Sequence, residues 1–195
     1  MSKRSAFEAL VAEIAATTGL RVSTAELGAP ASKAQLATAE GYCAAGLPPG
    51  VEQFFGEMNG FHLEWKGADG DAGAIHLLPV ERIFGNWRET IWFPGDERFR
   101  DLYPFDFFQP ETCIAFRVRE DEEPARQVYL HALGEASCSL GRSFNEYIAL
   151  LLESRGYLHW QHCLSAETNN NPEAARFRER APALFPDLKL ERFKP

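Results

Sequence analysis

Apolar residues recur early in the chain at the spacing of a buried helix face. Phe7, Leu10, Val11 and Ile14 share one side, Ser5 stands three residues before Glu8 in capping-box spacing, and Gly19 closes the run. A loop through Gly28, Ala29 and Pro30 leads to a second box, Ser32 with Gln35. The helix behind it turns Leu36, Ala39 and Cys43 inward and ends at Gly46. Leu47-Pro48-Pro49 then forces a turn, because proline cannot continue a helix but suits the first turn of the next. Residues 50–58 are predicted as a short third helix anchored by Phe54 and Phe55.

The period then changes from helical to alternating. Asn59-Gly60 tolerates positive φ and marks a tight exit into a strand over 61–65, with Phe61, Leu63 and Trp65 on one face. A polar, glycine-rich turn over 66–73 and a returning strand over 74–78 make a hairpin. Residues 80–108 are dense in aromatics and cut by Pro94 and Pro104; a helix is expected near 81–92 and irregular chain after it. Strands follow at 113–118 and 127–133, joined by the charged hairpin loop 119–126. Ser143 and Glu146 form a third capping box, ahead of a strongly amphipathic helix carrying Phe144, Tyr147, Ile148, Leu151 and Leu152. Residues 166–172 look like a linker, 173–180 like a short basic helix, and 182–195 like a docked, extended tail. This order predicts an α+β single domain, a twisted and mostly antiparallel sheet flanked by helices.

Length and composition agree. With 195 residues, 45% of them hydrophobic and 15 of them Phe, the chain can fill one sizeable core. Glu8 and Glu13 interrupt any secretory h-region and no run is apolar enough to span a membrane, so a cytoplasmic protein is expected. Cys43, Cys113, Cys138 and Cys163 lack CxxC spacing and are expected as reduced, mostly buried thiols. The net charge of −8 sits in the middle of the chain: residues 57–123 hold 15 acidic and 7 basic side chains. That excess argues against nucleic acid as a partner and suits either a basic protein or simple solubility.

Catalytic motifs are missing from the sequence: there is no Walker or dinucleotide loop, no HExxH and no GxSxG. Three weaker arrangements carry candidate chemistry. His159, His162 and Cys163 could share a metal, although such residues at a helix end commonly just pack. His131 and Cys138 could form a nucleophilic pair, against the more common buried thiol. Glu64 with Asp69 or Asp71 could supply paired carboxylates, against acidic residues that merely solvate a turn. No catalytic residue, cofactor or metal is assigned. Trp87 and Trp92, with Asp96, Glu97 and Asp101, are the candidate partner-binding residues; the alternative is that the rings fill the core and the charges face water.

A family resemblance sharpens this picture. Ala39-Glu40-Gly41-Tyr42, Gly46-Leu47-Pro48, Phe54-Phe55 and Asn59-Gly60, followed by Ile75-His76-Leu77-Leu78 with Glu81 and a closing helix over 143–156, resemble the SUKH superfamily. That group includes Smi/Knr-type cell-wall regulators and many bacterial immunity proteins. The resemblance covers roughly 32–160, and the domain is placed at 31–165, between an N-terminal helix and loop (1–30) and a C-terminal extension (166–195). It implies a non-enzymatic protein-binding domain, an immunity protein that neutralises a basic, nuclease-like toxin. The alternative reading is a Smi/Knr-type regulatory or scaffold module, and a hydrolase ranks behind both.

Overall fold

Residues 2–43, 46–119 and 126–195 are the part of the chain described by the computed structural model. The order is α1 (Lys3–Ala16), β1 (Arg21–Leu27), α2 (Lys33–Glu40), α3 (Val51–Glu57), β2 (Phe61–Lys66), β3 (Ala72–Leu77), α4 (Val80–Ile83), β4 (Leu102–Gln109), β5 (Thr112–Arg117), β6 (Tyr129–Ala132), β7 (Cys138–Ser139), α5 (Phe144–Glu153) and α6 (Pro172–Leu184). The strands form one open antiparallel sheet in strict sequence order, β1 to β7. The fold is α+β, a single domain. No described helix is long and apolar enough to cross a membrane.

Alternation along the strands makes two unlike faces. Phe61, Leu63, Trp65, Ile75, Leu77, Ile114, Phe116 and Leu130 are buried in the main core with Phe7 and Ile14 of α1, Phe54 and Phe55 of α3, and Phe144 and Tyr147 of α5. Edge-to-face contacts run through its centre, from Phe105 to Phe144 (5.4 Å) and to Tyr147 (5.5 Å). A smaller apolar cluster occupies the other face: Leu102, Cys113 and Ala115 lie beneath Ile91, Trp87 and Phe99. A strap over residues 84–101 therefore covers the outer face at β4–β6 and leaves it open at β1–β3.

Two of the three capping boxes form as expected, at Ser32–Gln35 and Ser143–Glu146. The first does not: Ser2 caps α1 by accepting from the Ser5 N–H, while Glu8 pairs with Arg4 one turn earlier. Asn59, Glu81 and the capping residue Gln35 meet at one node. The Glu81 carboxylate accepts from Asn59 Nδ2 (2.9 Å) and Gln35 Nε2 (2.7 Å), and Asn59 Oδ1 accepts the Val80 N–H (2.8 Å). Helix α2, the β2 entry turn and α4 are held together there.

Four expectations are corrected. Strand β1 occupies part of the segment expected as loop; its apolar content is low because one face is exposed and it forms the sheet edge. The helix expected over 81–92 is only the single turn of α4, because a chain that must cross the outer face leaves the helix after Ile83. Part of the segment expected as irregular is strand β4, in which Pro104 is tolerated beside a bulge. Finally, α6 runs on to Leu184 with Pro182 in its last turn, and the residues after it are turns rather than an extended tail. Ala174, Phe177, Ala181, Phe185 and Phe193 are buried in the main core, so the C-terminal segment completes the domain. Most of the loop expected over 119–126 lies outside the described residues.

Candidate functional site on the outer face of the sheet

The strap brings the sequence-predicted binding residues to one surface. Trp87 is half-buried: its indole N–H donates to the Ile83 carbonyl (2.7 Å) and its ring lies 5.8 Å from that of Phe107. Trp92 is also half-buried, with the Arg100 guanidinium 5.8 Å from its ring, and Phe93 beside it is 41% exposed. Each ring is thus neither fully buried nor fully exposed.

The three carboxylates are paired locally. Asp96 binds Arg98 (2.6 Å), Glu97 faces Arg100 (3.5 Å), and Asp101 lies between Arg117 (3.3 Å) and Arg119 (3.1 Å). The hydrogen bonds from Arg98 hold the Asp96 carboxyl below its ordinary range. The surface is thus a mosaic of both signs rather than a uniformly acidic patch. Beside it, an open cleft of about 360 Å³ is lined by Arg98, Asp101, Tyr103 and Val118.

Beneath the strap lies a buried imidazole. His131 is 1% exposed, neither ring nitrogen has a hydrogen-bond partner, and Phe99 of the strap lies 4.6 Å from its ring. Burial and the nearby Arg117 charge push its pKa below the ordinary value. Cys113 is its cross-strand neighbour, and burial raises the thiol pKa, so the protonated form is favoured.

The open half of the face carries a second group. His62 and His76 are register partners on β2 and β3, with ring centroids 4.8 Å apart and planes 26° from parallel. His62 Nε2 lies 3.3 Å from Glu64 Oε1. Burial, then the neighbouring His62 and Arg82, lower the pKa of His76, against a raising influence from Glu64. Alternation along β2 puts His62 and Glu64 opposite Phe61, Leu63 and Trp65. The pairing of His62 with His76 depends on the hairpin register, which the glycine-rich turn conceals.

The three weaker chemical arrangements are not assembled. His131 stands opposite Cys113, while Cys138 stands opposite Leu130 and so points to the other face. Glu64 is on the outer face, whereas Asp71 is 2% exposed and bound by Arg180 (2.7 Å), Arg176 (3.4 Å) and the Tyr157 hydroxyl (2.7 Å). The reading of Asp71 as a solvated turn residue is therefore corrected: it anchors α6. His159 and His162 have ring centroids 5.7 Å apart, but the Cys163 thiol engages the Ala174 carbonyl in the core. Among the described residues, no group of three His, Cys, Asp or Glu is placed to hold a metal ion.

The architecture defines an α+β domain with a strapped antiparallel sheet and a two-part outer face. No family model, curated protein or solved structure matches the chain.

Proposed function

We propose that this chain is a non-enzymatic, SUKH-like protein-binding domain, an immunity protein that neutralises a basic, nuclease-like toxin through the strap. The observation that carries the reading is the composition of that surface. Half-buried Trp92 and exposed Phe93 stand beside Asp96 and Glu97, giving aromatic anchors fixed on one side next to accessible carboxylates. The local ion pairs do not oppose this use. Exposed pairs contribute at most about 1 kcal/mol, so a cationic partner can exchange with Arg98 and Arg100 at small cost. Two of the residues that carry the resemblance, Asn59 and Glu81, are hydrogen-bonded to each other (2.9 Å), consistent with a role for them in the fold.

The test is capture on the tagged protein from its native cells at low and high salt, with wild type and an Asp96→Lys/Glu97→Lys variant. The expected result is a basic protein that elutes with salt, is lost by the variant, and has a nuclease activity that the purified wild type blocks. A partner whose binding ignores both salt and the reversals would overturn the strap mechanism. A housekeeping complex captured instead would favour the regulatory alternative.

A further inference from the structure

We propose that His62 and His76 form a two-imidazole site for a divalent transition-metal ion, with Cu²⁺ its tightest occupant. The argument begins with the backbone. The His76 N–H donates to Asp106 Oδ1 (3.0 Å), on the β4 side of β3. In an antiparallel strand the N–H and C=O of one residue point the same way, so His76 makes no ladder bonds to its β2 partner. His62 and His76 are therefore a non-hydrogen-bonded pair, the type with the closest side chains, Cα atoms about 4.5 Å apart. The ring separation of 4.8 Å follows from that register.

The scaffold beneath is rigid. Phe61, Leu63, Ile75 and Leu77, which flank the two histidines in sequence, are all buried on the inner face. Above, the face is open: clefts of about 280 and 310 Å³ both reach the histidine pair, leaving room for waters in the remaining coordination positions. Glu64 Oε1, 3.3 Å from His62 Nε2, can orient that ring as an outer-shell carboxylate or rotate in as a further oxygen ligand. Imidazole donors suit copper, nickel and zinc, and the intrinsic affinity order places Cu²⁺ first. Because, among the described residues, no three ligating side chains already surround a common point, the site is an exchangeable surface chelate and not a structural core.

The experiment is titration of the full-length, metal-free protein with Cu²⁺ alone, read by calorimetry and by electron paramagnetic resonance. The expected result is a single Cu²⁺ with two-nitrogen coordination. It is lost in both His62→Ala and His76→Ala and retained in His159→Ala/His162→Ala, which removes the other neighbouring imidazole pair. Glu64→Gln should weaken binding several-fold without changing the nitrogen count. Thermal melts of the alanine variants check that these outward substitutions leave the fold intact. Absence of binding in wild type, or binding that survives either single histidine substitution, would overturn the site.

Discussion

The indole N–H of Trp65 donates to the main-chain carbonyl of Arg155 over 2.7 Å, joining strand β2 to the turn that follows α5. Arg155 holds a left-handed conformation (φ 53°), and its guanidinium reaches Glu13 of α1 and Asp187 beyond α6, both at 2.7 Å. One residue thus ties the N-terminal helix and the C-terminal segment to strand β2, next to the sheet edge. Gly73 makes the arrangement possible, because a Cβ there would lie 2.1 Å from Trp65 Nε1.

The first prediction concerns this contact. Trp65→Phe should leave the Arg155 carbonyl buried without its donor and destabilise the protein by about 1–3 kcal/mol. Gly73→Ala should cost about 1–3 kcal/mol or more, since the indole has to move within a packed core. Chemical denaturation midpoints measure both; unchanged midpoints would mean the contact contributes nothing.

The second concerns Asp71, whose carboxylate joins the β2–β3 turn to α6. The Arg180 hydrogen bond holds its pKa below the ordinary value of 3.8. A depressed carboxyl contributes stability that is present above its unfolded pKa and is lost as pH falls through the folded one. Asp71→Asn should weaken docking of α6 at neutral pH by about 2 kcal/mol, within the range for hydrogen bonds to charged groups. It should also raise hydrogen exchange in α6 more than in α5. Equal exchange in the two helices would count against a local anchor.

The third concerns Asp106, fully buried, which accepts from the Tyr147 hydroxyl (2.5 Å) and the His76 N–H (3.0 Å). It stands in for a missing ladder acceptor where β3 and β4 share only the Leu77–Asp106 register pair. Burial raises its pKa from 3.8 to about 6. The folded state therefore holds this proton more tightly than the unfolded state, and stability falls as pH rises between those values. The shift corresponds to roughly 3 kcal/mol. Asp106→Asn should remove that slope; an unchanged pH profile would mean the carboxyl is hydrated.

How much of this was legible in the sequence depended on range. Boxes such as Ser143–Glu146 are local and were read correctly, as was the burial of Trp65 from strand alternation. Ser5–Glu8 had the same spacing but lost to Ser2, because competing caps a few residues apart differ only in how the preceding chain approaches. Strand β4 stayed hidden because Pro104 argued against it, and a bulge absorbs that proline. For Trp87 and Trp92 the sequence left core and surface both open, and each ring is half-buried. The arginine partner of each carboxylate was not legible, since ion pairs carry no periodicity. Asp71 was misread for a related reason: its arginine partners lie more than a hundred residues away in α6.

The last prediction concerns His131 beneath the strap. Its two unpartnered ring nitrogens cost stability at neutral pH, so His131→Leu should stabilise the protein by about 1 kcal/mol or more. The pH dependence is opposite in sign to that of Asp106. Burial depresses the folded pKa of His131 below its ordinary 6.5, so below that value the unfolded state binds the extra proton and stability falls as pH drops toward the folded pKa. Because Phe99 rests on the ring, protonation should loosen the strap before the core unfolds. Tryptophan fluorescence should therefore change in wild type at a higher pH than the main unfolding transition, through Trp87 and Trp92. His131→Leu should abolish that early change. If it persists in the variant, the strap responds to its own surface carboxylates and the buried imidazole is not the cause.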